Sequence, residues 1–244
     1  MQEYRFAAAE VARLCHRARR AEAETHGRRR HAFDRFAFDP PEGWSRSPAD
    51  PMRVLAVFQH LHLEPGWVLR AYQYIAGFNG NGVVWAMPAD APFPVPAAGD
   101  DTPHPPGALH FTRVLLGDGT PDSYLQASLL VRELGEFGAR WHGVEWPTHR
   151  VLDANPLLES SQGRSEFPGP TPAPEAWRWE EPRPERWAPL VQMWTDEVLV
   201  TLHTFSPLGV EAVYRHVDRY HRAAGYRFTT QRTCLATGPG EMTW

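Results

Sequence analysis

Lysine is absent from this chain of 244 residues, and all 25 basic residues are arginine. Without a lysine amine the chain cannot form the usual Schiff base with pyridoxal phosphate, so enzymes of that lysine-linked kind are excluded. Cysteine is also scarce, because only Cys15 and Cys234 occur, near opposite ends and in no metal-binding or redox motif. We expect two buried or half-buried free thiols, while a disulfide between them stays open on sequence alone.

Long apolar runs are missing too. No stretch approaches the roughly 20 apolar residues of a membrane span, and the N-terminus lacks the apolar core of a secretion signal. The net charge of −4 gives no general attraction to nucleic acid or to an anionic membrane. We therefore expect a cytoplasmic protein with no membrane partner. The sequence also lacks four common site motifs: a nucleophile elbow, a Walker loop, a Cys-x-x-Cys pair and an EF-hand.

The clearest positive signal is a hairpin over residues 67–87. Residues 67–76 are rich in aromatic and β-branched side chains, which is typical of a strand. Asn79-Gly80 and Asn81-Gly82 suit a tight turn, and residues 83–87 would return as the partner strand. Alternatively, these glycines could form a phosphate-binding loop, but a loop of that kind is followed by a helix. The spacing favours the hairpin.

Hydrophobic periodicity predicts an α+β fold. Its antiparallel or mixed sheet would combine the 67–87 hairpin with strands over 197–237. Helices at 3–31, 53–63 and 123–141 would cover that sheet. Residues 211–220 fit a strand or a helix. We predict a single domain over 1–244, with Pro-rich loops at 88–107 and 153–189, where three tryptophans indicate packing against the body of the protein.

Residues 141–149 form the most chemically dense segment of the chain. His142, Glu145 and His149 could bind a divalent metal, or could share acid/base chemistry. However, the spacing is not His-Glu-x-x-His, and Pro147 would break a helix that placed all three on one face. The alternative is a corner anchored by tryptophan, in which the histidines are hydrogen-bonded or exposed.

A second polar cluster arises if residues 211–220 are extended, because Tyr214, His216, Asp218 and Tyr220 would then share one face. His216 and Asp218 could form a general base with its orienting carboxylate. The alternative is ordinary alternation of polar and apolar residues on a surface strand.

Arg28, Arg29 and Arg30 close the Arg-rich half of the first predicted helix. They would complement the helix dipole, or would bind a partner: a protein, a second copy of the chain or, less well supported, a nucleic acid. The sequence leaves the function unknown, with a slight lean to a non-catalytic binding or assembly protein that uses an aromatic surface and these arginines. The alternative is a small-molecule hydrolase with a His/carboxylate cleft, with or without a divalent metal.

Overall fold

The structure is a computed structural model that describes residues 1–25, 42–77, 79–97, 99, 101–140, 144–156 and 176–242. Its helices are α1 Ala8–Thr25, α2 Pro51–Leu55 and α3 Pro121–Gly135, with short 3-10 turns at Phe111–Arg113, Trp146–Thr148 and Arg222–Ala224. Its strands are β1 Gln2–Arg5, β2 Gly43–Arg46, β3 Leu61–Leu63, β4 Trp67–Ala76, β5 Asn79–Pro88, β6 Leu109–His110, β7 Leu115–Gly117, β8 Arg150–Val151, β9 Arg178–Trp179, β10 Leu190–Met193, β11 Glu197–Ser206, β12 Gly209–His221 and β13 Phe228–Met242.

The chain divides into two compact units. The first unit comprises Met1–Arg13, Pro147–Ala223 and Phe228–Trp244. The second comprises Leu14–Trp146 and Ala224–Arg227. The prediction of one domain over the whole chain stays a prediction.

The first unit is built on a curled, seven-stranded antiparallel sheet. Its order is β1-β10-β11-β12-β13-β9, and β8 adds to β11. Side chains alternate between two faces along the long central strands. One face packs the tryptophan cluster, whose buried members are Leu152, Trp177, Trp187, Val213, Leu235 and Ala236, with Trp179 and Phe205 partly buried against it. The predicted packing of the three tryptophans is thereby confirmed.

The second unit contains a four-stranded sheet of order β2-β4-β5-β6 and the separate pair β3-β7. Helix α3 begins after Thr120, whose side chain accepts a hydrogen bond from the Ser123 amide, and Pro121 occupies the first turn. Both features are typical of a helix start. The core of this unit is apolar and closely packed, and Phe58, Leu129, Leu130 and Phe137 are fully buried.

The predicted helix-covered α+β fold is wrong, because the chain is mostly β. The 67–87 hairpin and the 197–237 strands also belong to different sheets. Strand periodicity shows which face of a strand is apolar, but it does not show which strand lies beside it. Among the described residues, moreover, no helix has both the length and the apolar composition of a membrane span.

The predicted helices differ in extent from those of the structure, and residues 26–31 of the helix predicted at 3–31 lie outside the described part of the chain. Gln2–Arg5 is not helical, because it pairs with β10 as an edge strand. The predicted helix at 53–63 is reduced to Pro51–Leu55, and Leu61–Leu63 pairs with β7 instead. The predicted helix at 123–141 ends at Gly135. In the first two cases tertiary pairing overrides a weak local preference for helix, whereas after Gly135 the chain turns and Gly138 takes a positive φ of 76°.

The hairpin is present, but its predicted turn is in the wrong place. Ala76 pairs directly with Asn79, so the strands reverse between these two residues, and both Asn-Gly pairs lie inside β5. Gly77 has the positive φ of 56° that the Asn-Gly residues were expected to supply. By contrast, residues 211–220 lie within β12, so the strand prediction there is confirmed.

Candidate functional site

Three polar side chains line up on the face of the first-unit sheet opposite the tryptophan cluster. His149 follows the 3-10 turn at Trp146–Thr148, Thr204 lies on β11 and His216 lies on β12. The distance from His149 Nδ1 to Thr204 Oγ1 is 3.0 Å, and that from Thr204 Oγ1 to His216 Nε2 is 2.9 Å. We call His149, Thr204 and His216 the histidine–threonine row.

The shared hydroxyl couples the two imidazoles. Thr204 has one hydroxyl proton, so it can donate to only one of the two ring nitrogens. The other nitrogen must then carry a hydrogen and donate to the Thr204 oxygen. The tautomers of His149 and His216 therefore depend on each other, and the row provides a two-step path for a proton.

Aromatic and cationic groups extend the row toward the surface. The rings of His149 and Tyr214 are nearly parallel, at 8°, with centroids 5.7 Å apart. On the neighbouring strand, the Arg232 guanidinium carbon lies 3.8 Å from the centre of the Tyr214 ring, a cation–π contact. Arg232 is exposed and Tyr214 is half-buried, so solvent meets this cluster at the Arg232 end.

The imidazoles themselves are enclosed. His149 is 9% exposed, His216 5%, and Thr204 has no exposed surface. The Nε2 atom of His149 is buried as well. A small molecule therefore does not reach these nitrogens or the hydroxyl from solvent in this conformation, which makes the row a poorer candidate for substrate chemistry than its composition indicates.

The structure joins His149 and His216, which the sequence analysis had assigned to separate clusters. Asp218 lies two residues after His216 on the same face of β12 and is fully buried. Glu145 belongs to the second unit, where its side chain is exposed and its amide donates to Glu136. His142 lies outside the described residues, so the predicted metal or acid/base set with Glu145 and His149 stays a prediction.

The other predicted binding residues, Arg28, Arg29 and Arg30, also lie outside the described part of the chain. Within the part that is described, no three His, Cys, Asp or Glu side chains form a group that could bind a metal ion. The Arg-rich partner site and the divalent metal therefore remain predictions.

Sequence reasoning missed Thr204 and Arg232. Thr204 could have been found from alternation, because Val198, Val200 and Leu202 precede it on the same buried face of β11. A threonine at the next inward position needs a hydrogen-bond partner. Arg232 carried no such signal, because its place opposite His216 depends on the register between β12 and β13.

On the other face of the same sheet, His203 is a structural residue. Its Nδ1 atom lies 3.0 Å from the Trp187 carbonyl oxygen, so this nitrogen carries the hydrogen and donates. Burial lowers the pKa of His203, which keeps the ring neutral at pH 7. This histidine anchors the tryptophan cluster.

The second unit has a buried carboxylate cluster around Glu133. Arg19 binds Glu133 through two nitrogens, at 2.9 and 3.0 Å, and the Trp146 indole donates to the same carboxylate at 2.9 Å. Nearby, Glu22 accepts from the Gly138 amide at 2.8 Å, and burial raises the pKa of Glu22 to about 7. Glu136 accepts the amides of residues 145 and 146. These contacts hold the helices and the chain after α3, so we regard the cluster as structural.

An open cavity of about 320 Å³ lies at the surface of the Pro-rich segment that follows β5, and eight of its twelve described lining residues are exposed. It is lined by Tyr72 of β4 and by residues from the described part of 94–106, including the prolines at positions 94, 96, 103, 105 and 106. We call this cavity the proline pocket. Its volume is at the lower end of the roughly 300–1,000 Å³ of small-molecule sites.

Two hydrogen bonds from the sheet attach the segment that forms the pocket. The Tyr72 hydroxyl donates to the Pro94 carbonyl at 2.9 Å, and the Trp85 indole donates to the Pro103 carbonyl at 2.8 Å. The His104 and Trp85 rings pack edge-on, with their centroids 4.5 Å apart. The Phe93 ring packs against the Tyr72 ring, with their centroids 4.6 Å apart. Adjacent strands thus hold both arms of the loop.

No protein-family model, curated protein sequence or solved structure matches this chain.

Proposed function

We propose that the protein is a non-catalytic binding protein whose ligand occupies the proline pocket. The observation that carries the proposal is the attachment of both arms of the loop by Tyr72 and Trp85, which are neighbours on one sheet. A cavity attached in this way is formed before the ligand arrives, so little binding energy is spent on ordering the loop.

The proposal agrees with the slight lean of the sequence toward binding through an aromatic surface. In the proposed site the accessible aromatic area would come from Trp85 and Phe93, which are half-buried, whereas Tyr72 is buried. Arg46 and Arg70 lie over Phe93, at 5.3 and 5.9 Å from its ring centre, and these cation–π contacts help to hold the start of the loop.

The test is a thermal-shift screen of a metabolite library, followed by NMR of each compound that raises the unfolding temperature. The Trp85 indole N–H resonance reports on the loop, because this group donates to Pro103. We expect ligands to shift that resonance and to lose affinity in Trp85→Phe, which removes the indole donor.

Trp44→Phe is the matched control, because Trp44 lies on the same sheet but packs against Tyr74 and is not part of the pocket lining. Ligands should bind this variant as they bind the unchanged protein. Equal binding by Trp85→Phe would contradict a site in the pocket. Consumption of a bound compound, followed by NMR over hours, would contradict a non-catalytic role.

The alternative function is a small-molecule hydrolase that uses the histidine–threonine row. One observation favours it, namely that a hydroxyl bridges two histidines at 2.9 and 3.0 Å. Opening of the enclosed face would be required before a substrate could enter. Hydrolysis of a panel of p-nitrophenyl esters that is lost in Thr204→Val, with the circular dichroism unchanged, would support this function.

A further inference from the structure

We propose that the outer edge of β13 binds a second copy of the chain, so that two first-unit sheets join edge to edge about a two-fold axis. The surface is the backbone edge of Phe228–Cys234, which we call the β13 edge. This inference is independent of the proline pocket. It assigns self-association to a strand edge and not to the Arg-rich segment that the sequence analysis considered.

The β13 edge has a neighbouring strand on one side. Strand β12 pairs with β13 along its whole length, whereas β9 pairs with it at Ala236 and Thr237. The Glu180 amide, which donates to the Leu235 carbonyl at 2.9 Å, marks the end of the contact with β9. Among the described strands, none lies beside Phe228–Cys234 on the side away from β12.

The hydrogen-bond ladder shows which backbone groups of this edge point outward. In antiparallel strands, alternate residues direct their N–H and C=O to opposite sides. The His203 carbonyl accepts from the Leu152 amide on the β8 side of β11, so the two neighbours of His203 along β11 bond to β12. Carried across both registers, this alternation makes Gln231 bond to β12 and makes Thr230 point away from it. Thr230 is exposed, so a further strand can reach its N–H and C=O.

The composition of this edge does not protect it from pairing. Edge strands are usually guarded by charged side chains, by proline or by being short. Phe228–Cys234 is rich in threonine, has no proline and carries one charged side chain, Arg232, which lies over the Tyr214 ring. At the other end of the sheet, β1 has four residues, and its Glu3 and Arg5 are charged. The β13 edge is therefore the better place for a further strand.

A second copy suits this edge because the edge is complementary to itself. With the two-fold axis at Gln231, the midpoint, Gln231 lies opposite Gln231 of the second copy. Thr229 then lies opposite Thr233, and Thr230 opposite Arg232. Threonine pairs are favourable across strands, and no like charges meet. The outward residues at 228, 230, 232 and 234 all find partners, and pairing stops where β9 begins. An interface of this length is small, so we expect a weak dimer.

Disulfide cross-linking tests the register. Gln231→Cys and Thr229→Cys are each made in a Cys234→Ser background and oxidised. In the dimer the two copies of residue 231 form a non-hydrogen-bonded pair, with Cα atoms about 4.5 Å apart, which suits a disulfide. We therefore expect Gln231→Cys to give a covalent dimer on a non-reducing gel. Thr229→Cys is the matched control, because the two copies of residue 229 would lie about 13 Å apart along the strands.

Sedimentation of the full chain tests the strand pairing. Thr230→Pro removes the outward N–H, and we expect it to abolish the dimer with the circular dichroism unchanged. Because proline can disturb a strand, Gln231→Glu is the second variant. It places two carboxylates opposite each other and should weaken the dimer by up to about fivefold. An equimolar mixture with Gln231→Arg should restore association, because opposite charges then meet.

A protein that stays monomeric up to about 1 mM would overturn the proposal, whatever else binds the edge. Equal cross-linking of the two cysteine variants would overturn it as well, because the register would then be wrong. So would a dimer that tolerates both Thr230→Pro and Gln231→Glu, because it would form elsewhere. The ligand screen tests the proline pocket separately.

Discussion

Two glycines of the second unit differ in the space around them. A Cβ at Gly82 would overlap the backbone carbonyl oxygen of Phe137, whereas nothing lies within 4 Å of a Cβ at Gly135. Beside Gly82, the amide of Arg140 donates to the carbonyl of Gly80 at 2.9 Å. The glycines of β5 therefore allow the chain after α3 to approach the sheet, which is a different role from the predicted turn.

Gly82→Ala and Gly135→Ala should change stability in opposite directions. At Gly82 the added methyl group displaces backbone, and we expect the free energy of unfolding to fall by about 1–3 kcal/mol. At Gly135, the last residue of α3, alanine should raise it by up to roughly 0.5 kcal/mol, because glycine is the poorer helix former and the difference is smaller at a helix end than in its interior. Urea unfolding of both variants measures the two changes. A neutral Gly82→Ala would contradict the close approach.

The two thiols should differ in reactivity. Cys15 is buried, and burial raises its pKa above the usual range. Cys234 is half-buried; burial also raises its pKa, but by less. Because the thiolate is the reactive form and the reagent must reach it, iodoacetamide at pH 8 should label Cys234 well before Cys15. Peptide mass spectrometry after timed quenching measures this order, and faster labelling of Cys15 would contradict its burial.

At the scale of elements, α3 begins at a network of polar groups. The Asp118 carboxylate accepts from the amide and the hydroxyl of Thr120, and lies 2.6 Å from the His60 ring nitrogen. Desolvation raises the pKa of Asp118, but the hydrogen bonds from Thr120 and His60 outweigh it and hold that pKa well below its usual range. The Gly119 amide donates a further hydrogen bond to the Tyr226 hydroxyl oxygen. This network determines where the helix starts.

Thr120→Ala should cost about 1 kcal/mol of unfolding free energy, because it removes the side chain that caps the helix. Its hydroxyl accepts from the Ser123 amide at 3.3 Å and donates to Asp118 at 2.6 Å. Thr120→Ser keeps the hydroxyl and should lose much less. Urea denaturation of both variants tests this, and an equal loss for Ser and Ala would show that the methyl group, not the cap, matters.

At the scale of the whole molecule, the carboxylate cluster makes stability depend on pH. The pKa of Glu22 is raised from 4.5 to about 7, first by burial and then by the neighbouring Glu133 charge. The folded protein therefore binds a proton at Glu22 more tightly than the unfolded chain does. By linkage, this stabilises the fold below about pH 4.5, and the stabilisation is lost as the pH rises through about 7.

Glu22→Gln should flatten that dependence. Its amide oxygen can still accept from Gly138, but the side chain no longer ionises. Between pH 5 and pH 8 we expect the unfolding free energy of the unchanged protein to fall relative to the variant, by up to about 3 kcal/mol. Glu24→Gln, at an exposed position in the same helix, serves as the control. Parallel pH profiles for all three proteins would contradict a raised pKa at Glu22.

Much of the local structure could be predicted from sequence. Alternation at residues 211–220 indicated which side chains of β12 share a face, and His216 and Asp218 do lie on its buried face. The buried tryptophans were expected because large indoles are costly to leave in water. The lengths of the helices were not predictable, because Gln2–Arg5 and Leu61–Leu63 pair with distant strands.

In the candidate sites, too, the residue types could be predicted from sequence, whereas the contacts between them could not. The residue types near His149 and near His216 pointed to polar chemistry, but neither pattern indicated that one threonine would join them. That contact requires residues 149, 204 and 216 to meet, which depends on the register of β11 against β12 and on the path of the chain before β8. Likewise, the Pro-rich composition of residues 88–107 predicts a loop, but its attachment to the sheet depends on the hydrogen bonds from Tyr72 and Trp85.

By itself, the sequence determined what depends on residue type or on neighbours along the chain: no lysine for a Schiff base, strand periodicity at β4 and β12, and prolines that prevent regular structure after β5. Tertiary structure alone decided which strands share a sheet, why position 82 requires glycine, and which polar groups meet. The physical reason is that local preferences are worth about 1 kcal/mol or less per residue, whereas strand pairing and burial sum many contacts between distant residues.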